Sequence, residues 1–446
     1  MYRLSKRVLP LIVATIVTAC GPQPPQSSVP RSSPQPEPAP SSVVLPPTEP
    51  VAPDSPTADS TGDTMTKLAT SINRLAFDLF PKLSRAQPGN LVFSPASISF
   101  ALSMTWGGAD GQTAKEMQQV LHFESSSSEV MEASGKLIAA LTDRSRPITF
   151  RVANQLFGEK TYPFEPSFLS QTARAFGAPM QQVNFKTAHE PTRRLINEWV
   201  EQQTENRIQN LIPNRGVDSE TRLVLVNAVY FLGDWAAPFD KQRTQPNPFH
   251  LSPSNTISVP TMSRTGSYRI ASKDGVTALE LPYEGNDLSM IIVLPDAVDG
   301  LDAALSSMDE TRWRELTNGL SHESVWVSIP SFKLEPSAPM RLSTPLRELG
   351  MRTAFDRRNA NFSKIANPPN PQDRLYISEV FHKGFIRTDE KGTEAAAATA
   401  VTMARTASAI LRPRAFKADH PFVFVVRDNE TNLILFLGIV ADPSKT

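Results

Sequence analysis

In the stretch MTKLATSINRLAFDLFPKLS, residues 65–84, the apolar positions Leu68, Ile72, Leu75, Ala76 and Leu79 recur every three or four residues. That spacing puts them on one face of a helix. SPASISFALSMTWGGADGQTAKEMQQVL (94–121) reads as a helix that starts after a Ser94-Pro95 cap and breaks at Gly107-Gly108. A second helix begins after Gly111, and PTRRLINEWVEQQTENRIQNLI (191–212) gives another amphipathic one. Beyond these the pattern shortens to apolar runs. LVLVNAVYF (223–231), TALELPY (277–283) and LSMIIVLP (288–295) read as strands, the last two joined through EGND as a hairpin. SVWVSIPSF (324–332), RLYISEVFHKGFIRTDE (374–390), HPFVFVV (420–426) and ILFLGIV (434–440) follow as further strands. Helices dominate the first half and strands the second, which predicts an α+β fold rather than alternating βαβ units.

Composition adds a boundary. The chain has 446 residues, and its 40 prolines are unevenly spread, being densest in residues 21–63. Residues 21–63 are mostly Pro, Ser, Gln, Ala and Thr, too polar to bury a core, so they read as a disordered, semi-rigid spacer. Ahead of them, Arg3, Lys6 and Arg7 precede an apolar run from Val8 to Val17 and the small residues leading to Cys20, the chain's one cysteine. A charged segment followed by a short apolar one is the layout of a secretory signal. The motif VTAC resembles the lipobox of bacterial lipoproteins, in which the cysteine is diacylated and the chain is cut before it. The expected organisation is a signal peptide (1–19), a lipidated Cys20 with its spacer (20–64) and one folded domain (65–446). An ordinary signal peptide with an incidental cysteine is the alternative. Several acyl chains anchor a protein firmly, so the expected location is outside the cytoplasm on a bacterial membrane, the outer one in a Gram-negative cell.

The remaining chemistry is sparse. Lys and Arg total 45, as do Asp and Glu, and this balance argues against nucleic acid as a partner. No G-x-S-x-G, H-E-x-x-H, Walker or G-x-G-x-x-G motif is present. Six histidines are scattered, and His382 in a strand-like run reads as a core residue. Nothing in this inventory predicts an enzyme, a metal or a cofactor.

Four long motifs carry a resemblance. NLVFSPASISFALSMTWGGADGQTAKEMQQVLHF (90–123), LVLVNAVYFLGDWAAPF (223–239), EVFHKGFIRTDEKGTEAAAATA (379–400) and FKADHPFVFVVRDNETNLILFLGIVADP (416–443) are similar, in this order, to signature regions of the serpins. The resemblance implies helices packed around three β-sheets, with an exposed reactive-centre loop. It also implies suicide inhibition of serine or cysteine endopeptidases. The protease is acylated at the loop, the cut loop inserts as a new strand in the large sheet, and the protease is distorted before hydrolysis. A non-inhibitory binding protein and a surface adhesin built on the same scaffold are the alternatives.

The resemblance gives a role to DEKGTEAAAATAVTMARTA (389–407), which by propensity alone is also readable as an alanine-rich helix or a passive linker. Glu390, Lys391, Gly392, Thr393, Glu394, Ala395, Ala396, Ala397, Ala398 and Thr399 match the hinge. In a strand, Thr393, Ala395, Ala397, Thr399, Val401 and Met403 share one uncharged face, suited to burial. Counting from Glu390 as the family does puts the cut at Thr406-Ala407, which suits an elastase-like protease. Arg405-Thr406 is the alternative and suits a trypsin-like one. Ser94, Ser97, Asn227 and His382 match the hydrogen-bonded shutter beneath the sheet, and Trp235 the breach above it. Lys391 stands where many members have glutamate. Ser331 stands where some have a basic partner for Glu390, which leaves that salt bridge open. The segment 122–143 lacks the basic cluster of heparin-activated members, so heparin is not expected, and the expected state is a monomer bound covalently to its target.

Overall fold

In the computed structural model the described residues are 58–143, 145–177, 179–393 and 412–445. The chain separates into two units, Met1–Ser55 and Pro56–Thr446, and every element below belongs to the second. Among the described residues no helix is long and apolar enough to cross a membrane. Cys20, the spacer up to residue 57 and residues 394–411 lie outside them.

Helix α1 (Ala58–Ala86) carries the expected apolar face and begins seven residues before Met65. After β1 (Leu91–Phe93) comes α2 (Pro95–Gly107), which is buried on every side. The Ser94 hydroxyl caps it, accepting from the Ser97 N–H at 3.2 Å, and Pro95 sits where no amide donor is needed. α3 (Gly111–Val120) starts after the Gly107-Gly108 break as the sequence predicts. α4 (Ser127–Leu141) is closed by a reciprocal capping box between Ser126 and Glu129. β2 (Thr149–Glu159), α5 (Pro166–Phe176) and β3 (Gln181–Val183) lead into α6 (Phe185–Gln203).

The helix expected over 191–212 is displaced. Asn184 caps α6, which therefore starts earlier, and non-helical torsions at Ala188 kink it. It stops at Gln203 because Asn197 clamps both backbone groups of Ile212, at 2.9 and 2.8 Å, and folds the chain back. Glu205, Asn206 and Asn210 take up the turn with positive φ.

The strands follow as β4 (Leu223–Asp234), β5 (Gln245–Ser252), β6 (Asn255–Lys273), β7 (Val276–Pro282) and β8 (Leu288–Pro295). After α7 (Leu301–Ser307) and α8 (Glu310–Asn318) come β9 (Ser321–Pro330), β10 (Phe332–Leu334) and β11 (Met340–Arg341). α9 (Ser343–Leu349) precedes β12 (Phe381–His382), β13 (Gly384–Thr388), β14 (Gly392–Thr393), β15 (Arg414–Lys417), β16 (Phe422–Asp428) and β17 (Ile434–Val440). β7 and β8 form the expected hairpin, with Gly285 and Asn286 at positive φ in its turn.

These strands make three sheets. One has nine strands in the order β1-β17-β16-β8-β7-β6-β9-β15, with β5 on β6; one has six, β10-β13-β14-β4-β2-β3; and β11-β12 is a ribbon of two. The single strand expected over 324–332 serves two sheets. β9 pairs with β6, the chain turns at Ser331, whose N–H reaches the Pro260 carbonyl, and β10 pairs with β13. In the nine-stranded sheet a buried ion pair joins Glu280 to Arg427 at 2.6 Å, with Arg269 on the other carboxylate oxygen at 2.8 Å. Burial would raise the Glu280 pKa, but the Arg427 and Arg269 guanidiniums outweigh it and hold the carboxyl below its usual range.

The strand expected over 374–390 is also broken. Only β12 and β13 are strands, and residues 374–380 leave the sheet. Other partners hold that stretch. The Ile377 N–H donates to the Ala354 carbonyl at 2.9 Å, the Val380 carbonyl accepts from the Leu342 N–H at 3.0 Å, and the Glu379 carboxylate accepts from both the Ser343 N–H and hydroxyl.

Candidate functional site

The six-stranded sheet has a discontinuity along β4. On one side β4 is registered with β2 over its length, from Thr149↔Leu232 to Gly158↔Leu223. On the other it has two partners in turn. β13 runs parallel to it at Gly384↔Val229 and Phe385↔Tyr230, and β14 runs antiparallel at Gly392↔Asp234 and Thr393↔Gly233. β14 also pairs with β13 at Thr388↔Thr393, so Gly392 and Thr393 form a wedge between two strands that join directly below it. From Leu223 to Val226, β4 is registered with β2 alone among the described strands. An apolar cleft lies there, lined by Leu102, Leu223, Leu225, Leu375, Ile377 and Phe381.

Aromatic packing and hydrogen bonds fix the wedge. Trp235 stacks on Tyr283, centroids 4.7 Å apart and planes at 11°. The Trp235 backbone N–H donates to the Lys391 carbonyl at 2.7 Å and its indole N–H to the Asp389 carbonyl at 3.0 Å. The Tyr283 hydroxyl lies 2.8 Å from that of Thr393, both fully buried, and burial raises the Tyr283 pKa. Only glycine fits at 392, because a Cβ there would sit 2.1 Å from the Gly233 carbonyl oxygen. Glu390 accepts from the Thr244 hydroxyl at 2.6 Å, its carbonyl takes the Phe239 N–H, and the Lys391 ammonium lies 3.1 Å from the Asp234 carboxylate. Tyr283→Phe should remove one neutral hydrogen bond while keeping the stack, at a cost of about 1 kcal/mol. A lower urea midpoint with an unchanged m-value is the expected result.

Ser94, Ser97, Asn227 and His382 come together at the lower end of the β4–β13 contact. The Ser94 N–H donates to His382 Nε2 at 3.0 Å, which requires a neutral ring with its proton on Nδ1. The Ser97 hydroxyl donates to Asn227 Oδ1, and Asn227 Nδ2 donates to Asn154 Oδ1 at 2.5 Å. One chain of bonds therefore links β12, the start of α2, β4 and β2. Asn154 is a member the sequence reading missed. It faces Asn227 directly in the β2–β4 register, but β2 itself was not legible, so nothing pointed to the pairing. His382 is fully buried, and burial pushes its pKa down to about 3.

Of the other expected site residues, Glu394, Ala395, Ala396, Ala397, Ala398, Thr399, Arg405, Thr406 and Ala407 lie outside the described residues, as does Cys20.

The described residues thus make an α+β fold whose six-stranded sheet is parted at one end of β4 by Gly392 and Thr393. Residues 70–443 match the family profile of the serpins, described as serine protease inhibitors. Among curated proteins the chain is 39% identical over 388 residues to leukocyte elastase inhibitor A of Rattus norvegicus, covering 85% of this chain and all of that one. It is 37% identical over 389 residues to leukocyte elastase inhibitor of Homo sapiens, with the same coverage. Among solved structures, Serpin48 of the insect Tenebrio molitor superposes with a TM-score of 0.74 at 30% identity, covering 84% of this chain and 98% of that one. The chain belongs to the serpin family.

Proposed function

We propose that this serpin inhibits serine endopeptidases irreversibly, as a suicide substrate whose cut loop becomes a strand between β4 and β13. The observation that carries this reading is the wedge. Thr393↔Gly233 and Gly392↔Asp234 already set an antiparallel register on β4. Continued at the same offset, that register brings Thr399 opposite Asn227 and Met403 opposite Leu223, the first residue of β4. The run of small residues is therefore as long as the edge it must cover. Only two registered pairs of the β4–β13 contact have to part first. The lower edge of β4 and its apolar cleft offer room for the rest. Inserted residues bond alternately to β4 and to β13, and this gain in ladder hydrogen bonds drives the loop and its acylated protease across the molecule.

In the chemical step the protease serine attacks the carbonyl of the residue before the bait bond. An ester forms and the new amino terminus leaves. The bond is Thr406-Ala407, and the names of the relatives favour an elastase-like target over the trypsin-like one that Arg405-Thr406 would suit. The shutter bonds through His382, Ser94, Ser97 and Asn227 keep the strands closed until cleavage, and Trp235 holds the breach. Cleaving the soluble head in the loop and following its unfolding tests insertion. A rise in melting temperature on the order of 20 °C is expected from about ten new ladder positions, and an unchanged or lower value contradicts it. Sequencing the released C-terminal peptide identifies the bond.

The anchor is part of the same proposal. Cys20 carries the lipid, the proline-rich spacer holds a monomeric head off a bacterial membrane, and the head meets proteases outside the cytoplasm. Radiolabelled fatty acid should enter the wild type and be absent from Cys20→Ala; equal labelling of both overturns the anchor.

A further inference from the structure

We infer that Lys391 and Asp234 form an electrostatic latch that sets how the inhibitor divides between trapping a protease and being turned over by it. This rests on the inhibitory reading above. Among the described residues β14 covers Gly392 and Thr393, where the hinge meets β4. Asp234 closes β4 and is the register partner of Gly392. Lys391 immediately precedes Gly392, and its ammonium reaches back to the Asp234 carboxylate at 3.1 Å. The two side chains are 24% and 30% exposed, enclosed enough to interact and open enough to feel salt. The described neighbours Asp389 and Glu390 have other partners. Asp389 accepts from the Lys391 backbone N–H and lies 3.5 Å from Arg387, while Glu390 takes the Thr244 hydroxyl. The latch thus ties the residue before the wedge to the strand on the wedge's far side.

Its consequence is kinetic. After acylation, insertion competes with hydrolysis of the ester. A hinge already seated in the sheet has passed the first step of insertion, whereas a released hinge must find the breach while hydrolysis proceeds. Lys391 acts as a positioning residue, since it touches neither the protease nor the bait bond.

The test compares wild type with Lys391→Met, which keeps the stem, Lys391→Arg, which keeps the charge, and the exchange Asp234→Lys with Lys391→Asp. The measured quantity is the stoichiometry of inhibition of an elastase-like protease at 0.05 and 1 M salt, with the association rate recorded alongside. In Lys391→Met the excess of that stoichiometry over one should rise about fivefold, as expected for a partly enclosed ion pair. Its salt dependence should vanish, and the association rate should change less than about twofold. Lys391→Arg and the exchanged pair should return toward wild type. Amide hydrogen exchange at Gly392 and Thr393 gives a readout independent of inhibition and should quicken about fivefold in Lys391→Met alone. Wild-type partition and exchange in Lys391→Met, or an exchanged pair that folds and does not rescue, overturns the latch. If wild type forms no covalent adduct, the inhibitory reading fails instead, and the exchange rates still decide whether the latch exists.

Discussion

Thr393→Arg should convert the protein from an inhibitor into a substrate. Thr393 is fully buried in the wedge, with its hydroxyl on Tyr283. An arginine there either stays out of the sheet or takes an unpaired charge into it. The second course costs several kcal/mol, and a penalty of about 3 kcal/mol already slows insertion roughly 100-fold. Hydrolysis of the acyl-enzyme then wins. The variant should still be cut at the bait bond, because the loop sequence is unchanged. It should yield free active protease and no gain in heat stability. Persistent covalent trapping by Thr393→Arg, measured by residual protease activity against a titration of inhibitor, would show that Thr393 need not enter the sheet.

The second large effect belongs to His382. Its Nε2 accepts the Ser94 N–H, so the ring must be neutral, and burial holds its pKa at about 3 against 6.5 in the open chain. Between those values the unfolded chain binds a proton that the folded one does not. Stability is therefore complete above pH 6.5 and falls as pH drops, by about 1.4 kcal/mol per pH unit. At pH 5 the loss attributable to this group is about 2 kcal/mol. His420 acts in the opposite direction. Burial would lower its pKa, but Asp419 and the Pro295 carbonyl face its two nitrogens and raise it, so its contribution is lost as pH rises. His382→Gln removes the titration while offering an acceptor, and the difference between wild type and variant isolates His382. That difference should shrink by about 2 kcal/mol between pH 7.5 and pH 5. His382→Ala should cost about 1–3 kcal/mol at neutral pH, because the Ser94 N–H loses its acceptor, and should appear as faster loss of monomer on warming. A pH-independent difference would rule out a neutral, buried His382.

How legible the molecule was depended on whether a feature is local. The α2–α3 break, the Ser94 cap and the β7–β8 hairpin are written in adjacent residues, and the structure has them where the pattern puts them. The capping box at Ser126 and Glu129 was equally local and marked α4 for a reader who looked for it. Other features depend on distant partners. The periodicity over 191–212 continues past Gln203, but Asn197 reaches across to Ile212 and ends the helix. Residues 374–380 have strand composition, yet Ala354, Leu342 and Ser343 compete for their backbone and for Glu379. The site divides in the same way. Residue types with family counterparts, such as His382 and Trp235, could be singled out from sequence. Asn154, which completes the shutter, and Asp234, which pairs with Lys391, could be found only once the register of β4 was known.

Trapping itself is open to a single measurement: denaturing electrophoresis of the soluble head after incubation with an elastase-like serine protease. A band that survives boiling, with the mass of the protease plus the head less its C-terminal peptide, is the expected result. Two cleaved fragments beside intact, active protease would contradict it.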